Sequence, residues 1–130
     1  MHSTHDKGIL GELAFTYRLI EIGFTVLSPI NPNSSYDLVI EKGGIFTRIQ
    51  VKYRTPINGI LRVELDRPMR KTMKYSARGV DAMGLYNPNS KKSYLIPLDG
   101  ITNKDEVALR VEKPKGAISS RMHMADKFEI

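Results

Sequence analysis

Asp37, Gln50 and Lys52 lie within one stretch, YDLVIEKGGIFTRIQVKYR (36–54), and their side chains have the makings of a metal-assisted hydrolytic site. A carboxylate oxygen and a carboxamide oxygen are hard ligands for a cation such as Mg2+. An ammonium group beside that cation can offset charge on a phosphate or help deprotonate an attacking water. The set therefore suits hydrolysis of a phosphodiester. Polar residues at alternate strand positions are more often a solvent-facing strand with an ordinary Asp–Lys pair, so spacing alone does not decide.

The elements that would position the three residues can be read from the same stretch. YDLVIE (36–41) and IFTRIQVKYR (45–54) read as strands joined at a Lys42-Gly43-Gly44 turn. In the second, Ile49 and Val51 point one way, and Arg48, Gln50 and Lys52 the other. In a hairpin, Asp37 near the open end of the first strand lies across from Gln50 and Lys52. Upstream, DKGILGELAFTYRLIEI (6–22) repeats Ile9/Leu10, Leu13/Ala14, Tyr17 and Ile20 at helical spacing. Ser3 with Asp6 fits an N-terminal capping pattern, and Gly23 a C-terminal stop. Glu12, at the border of that apolar stripe, can supply a second carboxylate. Gly8 and Gly11 each cost a helix about 1 kcal/mol against Ala, which signals close approach of the sheet or of a phosphate backbone.

FTVLS (24–28), ILRVEL (60–65) and VALRVE (107–112) read as further strands, and DAMGLYNP with KSYLIPL as a strand–turn–strand. RPMRKTMKYSARG (67–79) reads as a short basic helix, and MADKFEI as a helical turn. The order predicts an α/β fold: a mixed central β-sheet flanked by helices, with extra strands and a short basic helix. At 130 residues, one domain spanning 1–130 is expected. A hydrophobic fraction of 41% and a charged fraction of 26% are those of a globular chain rather than a disordered one. The absence of Cys excludes disulfides and thiolate metal sites. With neither a signal peptide nor a run of about 18 apolar residues, the chain is expected to be soluble, cytoplasmic and free of the membrane.

Net charge is +6, and it is concentrated. Between 48 and 78 lie Arg48, Lys52, Arg54, Arg62, Arg67, Arg70, Lys71, Lys74 and Arg78, against only Glu64 and Asp66. Such a band is the electrostatic footprint of a polyanion partner. It also favours the hydrolytic reading of Asp37, Gln50 and Lys52, because a site for nucleic acid needs such a surface. His2, His5 and His123 have no metal-site spacing. Ser34 and Ser35 read as turn residues, Tyr53 and Tyr75 as structural, and Met69, Met73 and Met83 as packing residues.

Residues 7–54, with Glu12 in GE, Asp37 in SSYDLVI and Lys52 in IQVKY, resemble the PD-(D/E)-XK nuclease superfamily. Within it the chain is most similar to small group I intron-associated homing endonucleases, and the likeness runs on through YLIPLD, LRVEKPK and ADKFEI. The resemblance implies a restriction-endonuclease-like core, a divalent metal (Mg2+ or Mn2+) and cleavage of double-stranded DNA. By position it makes Asp37 the central metal ligand, Glu12 the helix acid and Lys52 the signature lysine. Gln50 stands in place of the usual second acid, and Tyr36 in place of Pro. Two negative charges and one amide oxygen imply one metal ion per site rather than two. Arg54, Arg62, Arg67, Arg70, Lys71, Lys74 and Arg78 are the expected DNA-binding residues. Cutting both strands implies a homodimer or homotetramer. The alternatives are a Holliday-junction resolvase-like nuclease and a DNA-binding protein that has kept the fold without the activity.

Overall fold

A computed structural model describes residues 2–65, 79–101, 105–113, 116 and 122–130. Helix α1 spans Thr4–Glu21. It is followed by strands β1 (Thr25–Leu27), β2 (Leu38–Lys42), β3 (Ile45–Tyr53), β4 (Ile60–Glu64), β5 (Ala82–Asn87), β6 (Lys92–Pro97), β7 (Glu106–Arg110) and β8 (Met122–Met124). Short 3-10 turns occupy Leu98–Gly100 and Ala125–Phe128. The expected basic helix at 67–79 lies, apart from Gly79, outside the described residues.

Local sequence sets the ends of α1. Ser3 Oγ accepts the Asp6 amide at 3.1 Å, as the capping pattern requires. At the other end the Phe24 amide bonds Leu19 O and the Gly23 amide bonds Ile20 O, both at 3.0 Å, with Gly23 at φ 102°. That is a Schellman termination. The β2–β3 hairpin turns at Gly43 and Gly44, both at positive φ (60° and 82°), which a two-residue hairpin turn of this hand demands.

The strands form two sheets. The larger has the order β1-β2-β3-β5-β6, antiparallel throughout except for the parallel β3–β5 pair. The smaller has the order β4-β7-β8. Alternation along β3 and β5 gives the large sheet two apolar faces. Ile49, Val51 and Ala82 join Leu38 and Ile40 under Phe15 and Leu19 of α1. Met83, Leu85, Tyr94 and Ile96 meet Leu61, Val63, Val107 and Leu109 of the small sheet. The large sheet is thus flanked by one helix on one face and by the small sheet on the other. The small sheet covers the face opposite α1.

The side of α1 that meets the sheet is not the stripe that its periodicity singles out. Gly11, Phe15 and Leu19 are buried, whereas Ile9, Leu10, Leu13, Tyr17 and Ile20 are exposed. The choice follows from close approach. A Cβ built on Gly84 of β5 would lie 2.8 Å from Phe15 Cζ, so the ring occupies space that only a glycine leaves. Fully buried, Phe15 and Leu19 contribute about 1.5–3 kcal/mol each.

Candidate metal-dependent active site

The site lies where β2 and β3 part. Their ladder ends at the Leu38–Ile49 pair, and the Asp37 amide still bonds Ile49 O at 2.9 Å. At the next bonding position the Val51 amide finds no strand partner in β2. It donates instead to Asp37 Oδ2, at 2.7 Å. The carboxylate therefore fills the fork between two strands, fixed by its own backbone on one side and by Val51 on the other. Tyr36, packed against the core between the sheets, anchors the chain just before Asp37.

Register places the other groups around this carboxylate. Gln50 follows Ile49 and so sits across from Asp37. Lys52 lies two residues further on the same face. In the parallel ladder the two pair with Met83 and Leu85, so both stand on the small-sheet side. Glu12 comes from α1, on the other side. Gly11, its neighbour, sets how near it comes: a Cβ there would lie 3.2 Å from Tyr53 Cβ. Of the two helical glycines, Gly11 meets the sheet while Gly8 faces open space.

The two carboxylates act on one another. Burial raises the Asp37 pKa, although the Val51 amide and the Lys52 charge both oppose the rise. Burial also raises the Glu12 pKa, and the Asp37 charge adds to it. Two partly desolvated carboxylates thus repel one another, and a divalent cation between them would relieve both costs. Among the described residues no three of His, Cys, Asp and Glu gather in one place. The available donors are two carboxylates and the Gln50 amide oxygen, all hard oxygens that fit one divalent ion.

Asp37 interacts electrostatically with both Glu12 and Lys52, and register sets Gln50 across from it, while Glu12 reaches it from the α1 side and Gln50 and Lys52 stand on the small-sheet side. The basic band fares differently. Arg67, Arg70, Lys71, Lys74 and Arg78 lie outside the described residues. Arg62 is held by Glu106, with Nη1 2.7 Å from Oε1. Arg48 grips Asp81 through two side-chain bonds of 2.9 Å, and its amide gives Asp81 a third. Arg54 donates to the Tyr53 carbonyl at 3.0 Å. Asp81 and Glu106 were missed because they lie 33 and 44 residues from their partners, and nothing in their local sequence marks them. The Val51 amide was equally invisible, since only the parting of the strands frees it. Gly11 did carry a signal, a glycine inside a helix beside an acid.

Comparison with known proteins identifies the family. Protein 5.3 of Escherichia phage T7 is 35% identical over 57 residues, 44% of this chain and 48% of that protein, so the match spans about half of the phage protein. The bacterial homing endonuclease I-Ssp6803I superposes with a TM-score of 0.72 at 25% identity, covering 99% of this chain and 88% of that one. Hjc, a Holliday junction resolvase from Archaeoglobus fulgidus, shares the fold, with a TM-score of 0.54 at 19% identity over 80% of this chain and 84% of its own. The family described as PD-(D/E)XK endonuclease matches residues 2–130. On that match the chain belongs to the PD-(D/E)XK endonuclease family.

Proposed function

We propose that this protein is a Mg2+- or Mn2+-dependent endodeoxyribonuclease that cuts duplex DNA at a specific site, in the manner of a homing endonuclease. Nucleases of this family generally use divalent metal ions. The observation that carries the reading is the fork: the Val51 amide fixes Asp37, while burial and mutual repulsion make Asp37 and Glu12 a pair that favours a cation. Asp37 and Glu12 would hold one ion, with the Gln50 carbonyl oxygen as a third, neutral ligand. Such an ion polarises a phosphate and acidifies water. Lys52, on the Gln50 face, stabilises charge that builds on the scissile phosphate. Arg54 and the basic residues between 67 and 78 hold flanking phosphates, which position the duplex without reading its sequence. The likeness to I-Ssp6803I over almost the whole chain supports the homing reading over the resolvase one.

The test is cleavage of a randomised duplex pool with Mg2+, with Asp37→Asn as the control and the cut ends sequenced. Defined ends from the parent and none from the variant are the expected result. Preferential, symmetric nicking of a four-way junction would replace the homing reading with the resolvase one. Gln50 favours one further reading, a DNA-binding protein without activity, because it leaves the site one acid short. Binding without cleavage in Mg2+, Mn2+ and Co2+ alike would establish it.

A further inference from the structure

A cleft of about 450 Å3 opens between α1 and the β5–β6 hairpin. The helix supplies Tyr17, Arg18 and Glu21 to its lining, and the hairpin supplies Tyr86, Lys91 and Ser93. At about 100° per residue, the three helical positions centre about 170° from Glu12. The cleft therefore lies on the other flank of α1 from the metal site, over strands that carry none of that site's residues. Register builds its floor. Ser93 pairs with Tyr86, and it alternates with Tyr94, which faces the small sheet. Its side chain thus stands on the α1 side.

Ser93 is polar, yet only 4% exposed. Its carbonyl accepts the Ile130 amide at 3.0 Å, but among the described residues its hydroxyl has no hydrogen-bond partner. A buried hydroxyl left so costs stability until something enters to bond it. Lys91 stands at the exposed rim, at a φ of 60° that glycine adopts more readily. The neighbouring cations are engaged, Arg18 with Glu21 at 2.5 Å and Lys92 with Glu129 at 3.5 Å. Lys91 has no ion pair among the described residues.

We infer that this cleft binds one nucleotide, with its phosphate on Lys91 and Ser93 and its base against the Tyr17 and Tyr86 rings. The lining selects that class. An ammonium and a hydroxyl donor suit phosphate oxygens. Aromatic side chains offer a stacking surface to the face of any base. An inorganic anion would leave most of the volume empty, and an apolar ligand would leave Ser93 and Lys91 without partners. The nucleotide is either free or one unit of a DNA strand. The inference stands apart from the nuclease reading, because no residue of the cleft belongs to the metal site.

The test is calorimetric titration of the full chain with deoxyadenosine 5′-monophosphate in EDTA, which keeps the metal site without an ion. Parent, Ser93→Ala and Lys91→Asn are compared, asparagine being a residue that tolerates the left-handed backbone. One site per chain is expected, weakened at least about fivefold by each substitution. Ser93→Ala should also raise the denaturant midpoint of the free chain, since the unbonded hydroxyl is gone. Deoxyadenosine and inorganic phosphate should each bind at least about tenfold more weakly than the nucleotide. A parent that takes up no nucleotide at about 10 mM overturns the proposal, and so does phosphate that binds as tightly as the nucleotide. Binding that Ser93→Ala leaves unchanged also overturns it, which is the result if that hydroxyl only bonds water. Lys91→Asn decides in the same way should the alanine variant fail to fold. A single strand of about eight deoxyadenylates separates the sources. Tighter binding than the mononucleotide, lost in Ser93→Ala, marks a strand; any other result with the strand marks a free nucleotide. Plasmid cleavage in Mg2+ keeps the two readings apart: a chain that binds the nucleotide and never cuts fails the nuclease reading and keeps this one.

Discussion

Gly11 of α1 stands against Tyr53 of β3 so closely that a Cβ on the glycine would lie 3.2 Å from the tyrosine Cβ. Tyr53 is held by its pairing with Tyr86 of β5, so a methyl group at Gly11 is expected to lift the helix by a few tenths of an ångström. Glu12 moves with it. Alanine also improves helix propensity by about 1 kcal/mol, which offsets the crowding. Gly11→Ala is therefore expected to melt within a few degrees of the parent yet cleave at least tenfold more slowly, because Glu12 shifts relative to Asp37. Thermal melts and single-turnover cleavage check the two halves separately.

Asp37 has two tasks, and two substitutions separate them. Asp37→Asn keeps an oxygen for the Val51 amide and removes the charge that burial opposes. It should be at least as stable as the parent in EDTA, while losing both cleavage and the stabilisation that Mg2+ gives the parent. Asp37→Ala leaves the buried Val51 amide without its partner, at a cost of about 1–3 kcal/mol. Chemical denaturation with and without Mg2+ distinguishes them. An Asn variant markedly less stable than the parent in EDTA would contradict the assignment.

Glu106 restrains a cation that the basic band would otherwise present. Arg62 is bonded to it, so Arg62→Ala should lower the slope of log affinity against log salt by much less than the 0.9 expected for a full phosphate contact. Glu106→Gln should instead free Arg62 and tighten non-specific binding several-fold at low salt. Fluorescence anisotropy on a labelled duplex across a salt series reads both.

Acid acts on this fold in two opposed ways. The Arg48 hydrogen bonds lower the Asp81 pKa, so its contribution is present above the unfolded value of 3.8 and is lost as the pH falls through the lower folded value. Burial raises the pKa values of Glu12 and Asp37, so the folded chain takes up their protons first and the metal-free protein gains stability from them as the pH falls toward their folded values. Asp81→Asn should lose stability at neutral pH and show a shallower decline below pH 4. Denaturant midpoints between pH 2 and 7 give the comparison.

Gln50→Glu adds a third carboxylate beside two that already repel. The metal-free variant should melt lower than the parent and bind Mg2+ at least tenfold more tightly, without loss of cleavage. Gln50→Ala should weaken Mg2+ binding. An alanine variant that binds Mg2+ and cleaves like the parent would remove Gln50 from the ligand set.

The nearness of Asp37 to Gln50 and Lys52 was legible in the sequence because it is local. Alternation along 45–54, the double-glycine turn and a carboxylate near the open end of the hairpin fix which groups meet. The capped helix and seven of the strands also follow from period and punctuation. The dockable side of α1 did not, because hydrophobic periodicity cannot rank two apolar faces; Gly11 and Gly84, through close approach, made the choice. Nor did β8. Its three residues lack alternation, and they are a strand because β7 offers them an edge. The Arg48–Asp81 and Arg62–Glu106 pairs are long-range products of the fold, so a charge count along the chain could not see them.

Strand β3 is completed on its two sides at different times. Its hairpin with β2 closes as soon as residue 53 is made, but its other neighbour, β5, begins only at Ala82. At a synthesis rate of about 5–20 residues per second, β3 waits roughly 2–7 s with one edge unpaired before Asn87 emerges. An open edge is a template for any strand nearby, including the same segment on an adjacent nascent chain. Slower translation of residues 54–87 would lengthen that exposure, which the finished surface of the molecule does not reveal.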